Sequence, residues 1–404
     1  MGSTAKPILI SGAGVVGLTL AHGLKQAGIP FEIYERDRDV DARLHGWAIT
    51  LHWALPYLRQ ILDDATLAAV DEVQVDPEVG RNDNGNFLFL NLDTLDAKFR
   101  IPPNERRRVN REKLRKVLLR GVASHVRWGK RLSDVRPLDG AIRAVFEDGT
   151  TAEGSLLVGA EGSNSPTRKF LVPDAYHNYQ LPVRLLGVSL DLTPAEAQPL
   201  RDIDPLLFQG CHPETGNYLW ISLLETPETN GSAGTPLERF RIQVIISWLF
   251  KDATDEVPAG DEARVVEMKR RAAEFNPVLR RVVDSIPASS AVMDIALQDW
   301  PCQPWDNRQG RVTLVGDAAH AMTMYRGEAA NHGLLDAFHL LRELRALHAG
   351  SKTAEQAIGD YEAEMRGRAV PAVLLSRQAC LDAHDFHGLN ENSAVLKRRA
   401  IPTK

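Results

Sequence analysis

The chain has 404 residues, of which 44% are hydrophobic and 25% are charged, and this is an ordinary globular composition. It excludes a disordered chain and a collagen-like fibre, and three widely spaced cysteines exclude a disulfide-stapled miniprotein. A formal net charge of −5 gives no reason to expect a nucleic-acid partner. The short basic stretches 106–108 and 397–399 are expected to be solvated surface.

The apolar runs of the chain are all too short for a membrane span, which needs about 18 residues, so no integral membrane segment is expected. The cysteines form no C-x-x-C pair, so neither a zinc site nor a dithiol centre is expected. Unpaired cysteines are typical of a reducing compartment, and the expected location is cytoplasmic.

The N-terminus predicts a strand, a turn, a helix and a second strand. Residues 7–11 are an apolar run typical of a buried strand, residues 15–27 have helical spacing, and residues 31–34 are strand-like. The turn reads Gly12-Ala-Gly14-Val-Val-Gly17, a G-x-G-x-x-G pattern that predicts dinucleotide binding on the helix N-terminus.

Each glycine of this pattern has a physical role. Gly12 allows the tight turn, Gly14 lets backbone approach a pyrophosphate, and Gly17 lets helix and strand pack closely. Glu35 ends the second strand, where a carboxylate accepts hydrogen bonds from ribose hydroxyls and repels a 2′-phosphate. NADP is therefore not expected at this turn, but the glycines leave FAD and NAD both open.

The remaining chain predicts a discontinuous arrangement. Asp148-Gly149 between 141–147 and 150–159 predicts a hairpin, and residues 111–120 predict an amphipathic helix. Strand-like runs follow at 185–192, 218–224, 242–249 and 311–316, and helices at 329–347 and at 354–365, the latter continuing past Pro371 with a kink or break. The predicted division is 1–175 and 301–350 for the nucleotide domain, 176–300 for an inserted sheet domain and 351–404 for a C-terminal helical segment.

Two later segments carry a family resemblance. Residues 159–168, Gly-Ala-Glu-Gly-Ser-Asn-Ser-Pro-Thr-Arg, resemble a G-A-D-G-x-x-S-x-x-R signature, and residues 316–331 resemble a G-D-A-A-H…G-x-G-x-N signature. Both belong to the para-hydroxybenzoate hydroxylase-like FAD monooxygenases, the aromatic-hydroxylase type of group A, and residues 52–57 and 322–331 look most like the fungal natural-product branch. The resemblance implies FAD as cofactor. It also implies an α/β fold, with a Rossmann-like FAD-binding domain, an inserted mostly antiparallel sheet domain for substrate, and C-terminal helices.

The resemblance also implies roles for individual residues. Asp317 would contact the ribityl and phosphate region of FAD, Arg111 matches an arginine that reaches the cofactor, and the helix beginning near Ala329 would point its N-terminus at the isoalloxazine. The residues expected to bind the cofactor are Gly12, Gly14, Val16, Gly17, Glu35, Arg36, Gly46, Arg111, Asp317, Gly327, Ala330 and Asn331.

Candidates for catalysis and substrate contact are fewer. Arg43 lies in a loop that borders the flavin in this family and is the candidate catalytic residue, with an ordinary surface arginine as the alternative. Tyr218 and Trp220, on one predicted strand, are candidates for a substrate pocket, with core packing as the alternative. His45 and His52 are further candidates for substrate contact, and His320 is expected to be a structural hydrogen bonder.

The chain departs from the family pattern at four positions. Glu161 replaces an aspartate, Met324 stands where a proline is common beside the flavin, and Ala329 and Ala330 occupy frequent glycine positions. These departures put the geometry at the flavin edge in question, but not FAD binding.

The resemblance implies an FAD-dependent, NAD(P)H:O2 monooxygenase. NADH or NADPH would reduce the flavin transiently, since no second G-x-G-x-x-G marks a nicotinamide domain. O2 would then give a flavin hydroperoxide that hydroxylates or epoxidises an electron-rich small molecule, a fungal secondary metabolite. Baeyer–Villiger oxygenation on the same scaffold, a flavin-free NAD-dependent dehydrogenase and an FAD-binding regulator remain alternatives. The expected assembly is a monomer or homodimer.

Overall fold

The structure is a computed structural model that describes residues 6–42, 46–83, 85, 87–101 and 105–400. Arg43, the candidate catalytic residue, and His45, a candidate for substrate contact, lie outside the described residues. The strands are β1 Ile8–Ser11, β2 Phe31–Tyr34, β3 Ala48–Leu51, β4 Phe87–Asn91, β5 Ala97–Ile101, β6 Arg107–Asn110, β7 Val126–Arg127, β8 Leu132–Leu138, β9 Ala141–Phe146, β10 Thr151–Gly154, β11 Leu156–Gly159, β12 Tyr179–Gln180, β13 Val183–Leu192, β14 Leu207–Cys211, β15 Tyr218–Glu225, β16 Phe240–Leu249, β17 Met293–Asp294, β18 Gln298–Asp299 and β19 Val312–Leu314.

The helices fall mostly between these strands or after the last of them. They are α1 Val15–Gln26, α2 Leu55–Ile61, α3 Asp64–Glu72, α4 Pro77–Arg81, α5 Arg111–Arg120, α6 Pro166–Leu171, α7 Pro194–Arg201, α8 Pro227–Asn230, α9 Asp261–Arg271, α10 Pro277–Asp284, α11 Asp317–His320, α12 Ala329–His348 and α13 Ala354–Asp382, with single 3₁₀ turns at Ala123–His125, Ala253–Asp255 and Met324–Arg326.

The predicted nucleotide domain is built on a five-stranded parallel sheet in the order β19-β11-β1-β2-β7. Its central strand β1 is buried along its whole length, as the apolar run predicted. Helix α1 packs closely on α12 at Gly23, where a Cβ atom would lie only 2.4 Å from the Leu341 side chain. The predicted α/β class with a Rossmann-like sheet is confirmed.

A seven-stranded sheet, in the order β17-β13-β16-β15-β14-β4-β5, forms the second layer of the molecule. It contains the strands predicted near 185–192, 218–224 and 242–249, and its pairs are antiparallel except for β14 with β4. Strands β4 and β5 come from residues 87–101, inside the segment predicted as the first part of the nucleotide domain. The domain limits stay a prediction, but the seven-stranded sheet contains strands from both sides of the predicted boundary at residue 176.

Two local predictions change in the structure. The second arm of the predicted hairpin, 150–159, is two strands: β10 pairs with β9, and β11 joins the parallel sheet. The switch occurs at Gly154, which lies so close to Leu9 and to the Pro7 carbonyl that no side chain fits there. Helix α13 runs through Pro371 without a break, one of the two predicted outcomes, whereas the kink stays a prediction; Tyr361 and Arg368 on this helix hydrogen bond to Leu314 and Asp336.

A short antiparallel pair, β3 with β6, connects the two layers. It places Thr50 opposite Arg108, and Arg108 in turn hydrogen bonds to Ser222 of β15 in the larger sheet. Among the described residues, no helix combines the length and apolarity required to cross a membrane.

Candidate active site

A first cleft of about 430 Å³ opens at the carboxyl ends of the parallel strands β1, β2, β11 and β19. In open α/β sheets this edge is where ligands bind. The lining residues are Ser11, Gly12, Gly14, Val15, Val16, Tyr34, Glu35, Arg36, Ile49, Arg111, Lys130, Arg131, Leu132, Glu147, Ala160, Glu161, Gly162, Asn164, Pro166, Val315, Gly316, Asp317, Ala329 and Ala330.

The three motif glycines have different surroundings. Gly12 has a φ of +109°, and a Cβ there would lie 2.4 Å from the Ala160 carbonyl oxygen. A Cβ at Gly17 would lie 2.2 Å from the Gly12 carbonyl oxygen, so Gly17 allows α1 to pack on the turn. A Cβ at Gly14 would meet no atom within 4 Å, because Gly14 faces open space at the N-terminus of α1. That open space beside free helical N–H groups fits a phosphate group.

Glu35 is fixed at the end of β2 by the backbone. Its Oε2 accepts a hydrogen bond from the Ala13 N–H at 2.7 Å, and its Oε1 accepts one from the Asp37 N–H at 3.0 Å. The guanidinium of Arg115 lies 3.6 Å from the same Oε2. The carboxylate thus lines the first cleft in a defined orientation, as a ribose-binding group requires.

A second cavity of about 550 Å³ lies between the seven-stranded sheet and the segment 317–330. Its lining residues are Trp47, Ala48, Ile49, Thr50, His52, Gly85, Phe87, Ile101, Arg106, Arg108, Arg111, Ser163, Trp220, Gln243, Ile245, Ile295, Ala296, Leu297, Gln298, Asp317, Ala321, Met322, Thr323, Met324, Arg326, Gly327, Ala329, Ala330 and Arg399. The first cleft and the second cavity share five residues and therefore adjoin: Ile49, Arg111, Asp317, Ala329 and Ala330.

The turn that carries Asp317 is held from behind by buried Asp336 of α12. The carboxylate of Asp336 accepts from the Gly316 N–H at 2.7 Å, from His320 Nε2 at 2.6 Å and from Arg368 at 2.6 Å. Burial acts to raise the pKa of Asp336, but His320 and Arg368 together outweigh it and hold that pKa below its usual range. His320 is thus a structural hydrogen bonder, in the role expected of it.

The departure at Glu161 has a local explanation. Its carboxylate accepts hydrogen bonds from Ser165 Oγ at 2.6 Å and from Thr167 Oγ1. Burial raises the pKa of Glu161, and these two hydrogen bonds act in the opposite direction. The longer side chain therefore anchors the start of α6 while still lining the first cleft.

Eight of the twelve residues predicted to bind the cofactor line the first cleft, namely Gly12, Gly14, Val16, Glu35, Arg36, Arg111, Asp317 and Ala330. Gly327 lines the second cavity instead. Gly17, Gly46 and Asn331 line neither. Gly46 packs against Glu112, and buried Asn331 joins α12 to the β3 region through the His52 N–H and the Thr50 carbonyl.

The two substrate candidates are separated by the structure. Trp220 lines the second cavity. Tyr218 does not: it is fully buried, donates a hydrogen bond to Gln209 at 2.8 Å and packs against Tyr325 and His384. The core-packing alternative therefore applies to Tyr218, because the chain around His384 covers that end of β15.

Sequence reasoning missed several charged residues of both cavities. Lys130, Arg131 and Glu147 line the first cleft but come from loops with no motif. Arg106, Arg108 and Arg399 are buried and line the second cavity, so the prediction of solvated surface for their two basic stretches is wrong at these positions. The available signal was the period of two over residues 106–108, where the chain enters β6, which turns Arg106 and Arg108 to one face and Arg107 to the other.

His52 also lines the second cavity. It is buried, and in the part of the chain that the structure describes neither ring nitrogen makes a hydrogen bond of ordinary geometry, although a weaker interaction with the Gly327 backbone acts to raise its pKa. Burial, reinforced by the charge of Arg399, lowers the pKa of His52 to about 3. The imidazole is therefore neutral at physiological pH.

Comparison with known proteins agrees with this geometry. A family model described as an FAD binding domain matches residues 5–375. The FAD-dependent monooxygenase dbaB of Emericella nidulans is 47% identical over 85% of this chain and 88% of its own, and a similarly named chain from Arthroderma benhamiae is 42% identical over 99% of this chain and 97% of its own. A crystal structure from Photorhabdus luminescens, described as an FAD-containing monooxygenase, has a TM-score of 0.79 at 25% identity and covers 95% of this chain and 100% of its own. The chain therefore belongs to the family of FAD-dependent monooxygenases that share this FAD binding domain.

Proposed function

We propose that the protein uses NADH or NADPH and O2 to hydroxylate or epoxidise an electron-rich small molecule of fungal secondary metabolism. The observation that carries this proposal is the adjoining pair of cavities. A cleft with a phosphate-binding turn meets a largely apolar cavity at Arg111, Asp317, Ala329 and Ala330. The first cleft suits the cofactor, and the second cavity suits a substrate that has to reach the reactive end of that cofactor.

The residues of the first cleft fit FAD. The space in front of Gly14 and the N-terminus of α1 would take the pyrophosphate, and Glu35 would take the adenosine ribose. Arg111 and Asp317, at the junction with the second cavity, would hold the flavin half. When bound, FAD supplies hydride acceptance from the nicotinamide and activation of dioxygen.

The N-terminus of α12 provides electrostatic support at the junction. Its N-cap residue Glu328 does not cap the helix, because its carboxylate accepts from Arg326 Nε at 2.6 Å and from Trp53 Nε1 at 3.2 Å. The first turn at Ala329 and Ala330 therefore presents uncapped N–H groups to both cavities. The positive end of a helix stabilises negative charge that develops beside it.

The walls of the second cavity orient the substrate and exclude water. Trp47, Phe87, Trp220, Ile245 and Leu297 supply apolar surface. Removal of water strengthens every electrostatic interaction inside the cavity and protects reactive species from hydrolysis. The polar groups among these walls then fix which atom of the substrate faces the junction.

The test is a product analysis. The purified protein is expected to carry FAD or to take it up, and to oxidise NADH or NADPH faster when a candidate phenolic or polyene substrate is present. With labelled O2, one labelled atom is expected in a hydroxyl or an epoxide. A colourless protein that cannot be reconstituted with FAD would refute the proposal.

Two other outcomes separate the alternatives. A label in an ester or lactone would assign Baeyer–Villiger oxygenation on the same scaffold. Substrate oxidation with NAD and no flavin would assign a dehydrogenase, which the match to an FAD binding domain does not favour.

A further inference from the structure

The segment that follows helix α13, residues 383–400, lies beyond residues 5–375, which the FAD binding domain model matches. No helix or strand forms in this C-terminal segment, as far as the structure describes it. Its apolar residues are nevertheless buried in the same core as the seven-stranded sheet; they are Phe386, Leu389, Ala394, Val395 and Leu396. Chain outside the family match is therefore built into the layer that carries the second cavity.

The path of the C-terminal segment is fixed by hydrogen bonds to the sheet and to α13. His384 Nδ1 donates to the Cys380 carbonyl at 2.7 Å. Because burial lowers the pKa of His384 to about 4, its ring is neutral, and its Nε2 accepts from Ser247 Oγ of β16 at 2.9 Å. Farther along the segment, the Ala394 N–H donates to the Asp382 carboxylate at 2.5 Å. The segment is thus held at both its start and its middle.

Arg399 holds the end of the C-terminal segment against the turn that precedes α12. Its Nε donates to the Arg326 carbonyl at 3.0 Å, and its Nη2 donates to the Tyr325 carbonyl at 3.2 Å. Its Nη1 donates to the carbonyls of Val395 and Lys397 in its own segment. The guanidinium is only 7% exposed and ties two stretches of backbone together.

Arg326 completes the connection from the opposite side. Its Nη1 and Nη2 donate to the carbonyls of Ala394 and Arg398. Its Nε donates to the Glu328 carboxylate at 2.6 Å. Each arginine thus binds the backbone that carries the other, and we call Arg326 and Arg399 the arginine clasp. Because hydrogen bonds from a charged donor are stronger than neutral ones, the clasp can fix a segment that has no helix or strand of its own.

The arginine clasp is part of the wall of the second cavity, since both of its arginines line that cavity. Among the described residues of the C-terminal segment, Arg399 is the one that reaches the cavity, and its Cζ lies 5.2 Å from the centroid of the Phe87 ring. Arg399 is not among the residues that the two cavities share. It therefore bounds the compartment assigned to the substrate and not the cofactor cleft.

We propose that Arg399 is a specificity-determining residue, and that through it the C-terminal segment limits the length of the substrate that the second cavity admits. The proposal rests on the proposed function, which assigns the substrate to this cavity. The side chain of Arg399 is long, and its hydrogen bonds to backbone prevent it from moving aside for a longer ligand unless the clasp opens. Truncation to alanine should leave a space that an apolar ligand group can fill, as cavities made in protein interiors do.

The experiment measures binding to the FAD-loaded protein without NAD(P)H, so it needs no turnover. The probes are neutral N-alkyl-2-naphthamides of increasing chain length, and binding is followed by calorimetry. While each added CH2 group is buried, the affinity should rise about fourfold. The rise should stop at the chain length that meets the wall, and this length is the limit that the proposal concerns.

Substitutions test whether Arg399 sets this limit. In R399A the rise should continue for about two further CH2 groups or more, so the longest chains should bind at least about tenfold tighter than they bind the wild type. R399K keeps the length of the side chain and is expected to keep the wild-type limit. K397A truncates an exposed neighbour in the same segment and is also expected to keep it. An unchanged limit in R399A, or the same extension in K397A, would overturn the proposal.

A second measurement on the wild type applies if R399A fails to retain FAD. Hydrogen exchange in residues 393–400 should slow by about threefold or more when the longest probe that binds is present, because that ligand packs against Arg399. Exchange in the surface loop 231–239 should stay the same. Unaltered exchange in 393–400 with the probe bound would contradict the proposal alone. An FAD-loaded wild type that binds none of the probes would instead refute the assignment of the substrate to the second cavity.

Discussion

Alanine substitutions at two glycines of the same turn, Gly14 and Gly17, should impair different properties of the protein. A Cβ at Gly17 would lie 2.2 Å from the Gly12 carbonyl oxygen and 3.3 Å from the Ala160 Cβ. A Cβ at Gly14 would meet no protein atom within 4 Å, and the backbone of Gly14, with φ −82° and ψ 179°, suits alanine without strain. G17A should therefore damage the fold, and G14A should damage cofactor binding.

The magnitudes follow from these distances. In G17A the turn has to move by about 0.8 Å to open the contact to 3.0 Å, and overpacking of this kind costs about 1–3 kcal/mol. For a domain of 150–250 residues this corresponds to a fall in melting temperature of roughly 2–12 °C. In G14A the methyl group occupies the space of the phosphate and removes at least one charge-assisted hydrogen bond, worth about 1.5–3 kcal/mol, so FAD should bind about tenfold to a hundredfold more weakly.

The assay pairs thermal unfolding of FAD-stripped protein with titration of FAD by flavin fluorescence. G367A is the control, because Gly367 lies exposed on α13 with open space around it, and alanine there should raise stability by about 0.5–1 kcal/mol. The reasoning is refuted if G14A lowers the melting temperature of the stripped protein as much as G17A does. It is also refuted if G14A binds FAD with wild-type affinity.

Three further substitutions test other parts of the site. D317A should weaken FAD binding or uncouple NAD(P)H oxidation from product formation, because its carboxyl faces both cavities; wild-type FAD content together with wild-type coupling would contradict this. D336N should lower the free energy of unfolding by about 1.5–3 kcal/mol in denaturant titration, because Arg368 and His320 lose a charged hydrogen-bond acceptor and Arg368 keeps only the Glu364 carboxylate; a change below about 1 kcal/mol would be contrary evidence. The pKa of His52 is lower in the folded than in the unfolded state, so its contribution to stability is complete above about pH 6.5 and falls as the pH drops, by about 2 kcal/mol at pH 5. H52Q should remove this loss of stability in acid, whereas H387Q, at an exposed histidine, should keep it. Identical acid unfolding profiles for the two variants would refute the role of His52.

The candidate cofactor site, the first cleft, was largely predictable from the sequence because its defining contacts are local. The turn at 12–17 and Glu35 lie within one strand–helix–strand unit, and Gly17 packs on Gly12 only five residues away. Asp317 was found from a second motif at the end of a buried strand, where polar side chains of a parallel sheet meet. Arg43 remains a prediction.

The positions of Tyr218 and Trp220 could not be told apart from the sequence. A period of two places both on one face of β15, and the sequence predicts nothing that separates them. In the folded chain Tyr325 and His384, more than 100 residues away in sequence, cover Tyr218, whereas Trp220 stays in the wall of the second cavity. The outcome depended on a contact that local pattern does not encode.

The amino-acid sequence by itself determined the parallel-sheet class, the glycine-rich turn and the carboxylates at its edge, because strand alternation, helix periodicity and turn geometry act over a few residues. The tertiary structure decided what the second cavity contains. Pairing of β6 with β3 turns Arg108 inward beside Ser222, although the same stretch reads as solvated surface in sequence. Burial and charge in that cavity arise from residues far apart along the chain, and only folding brings them into contact.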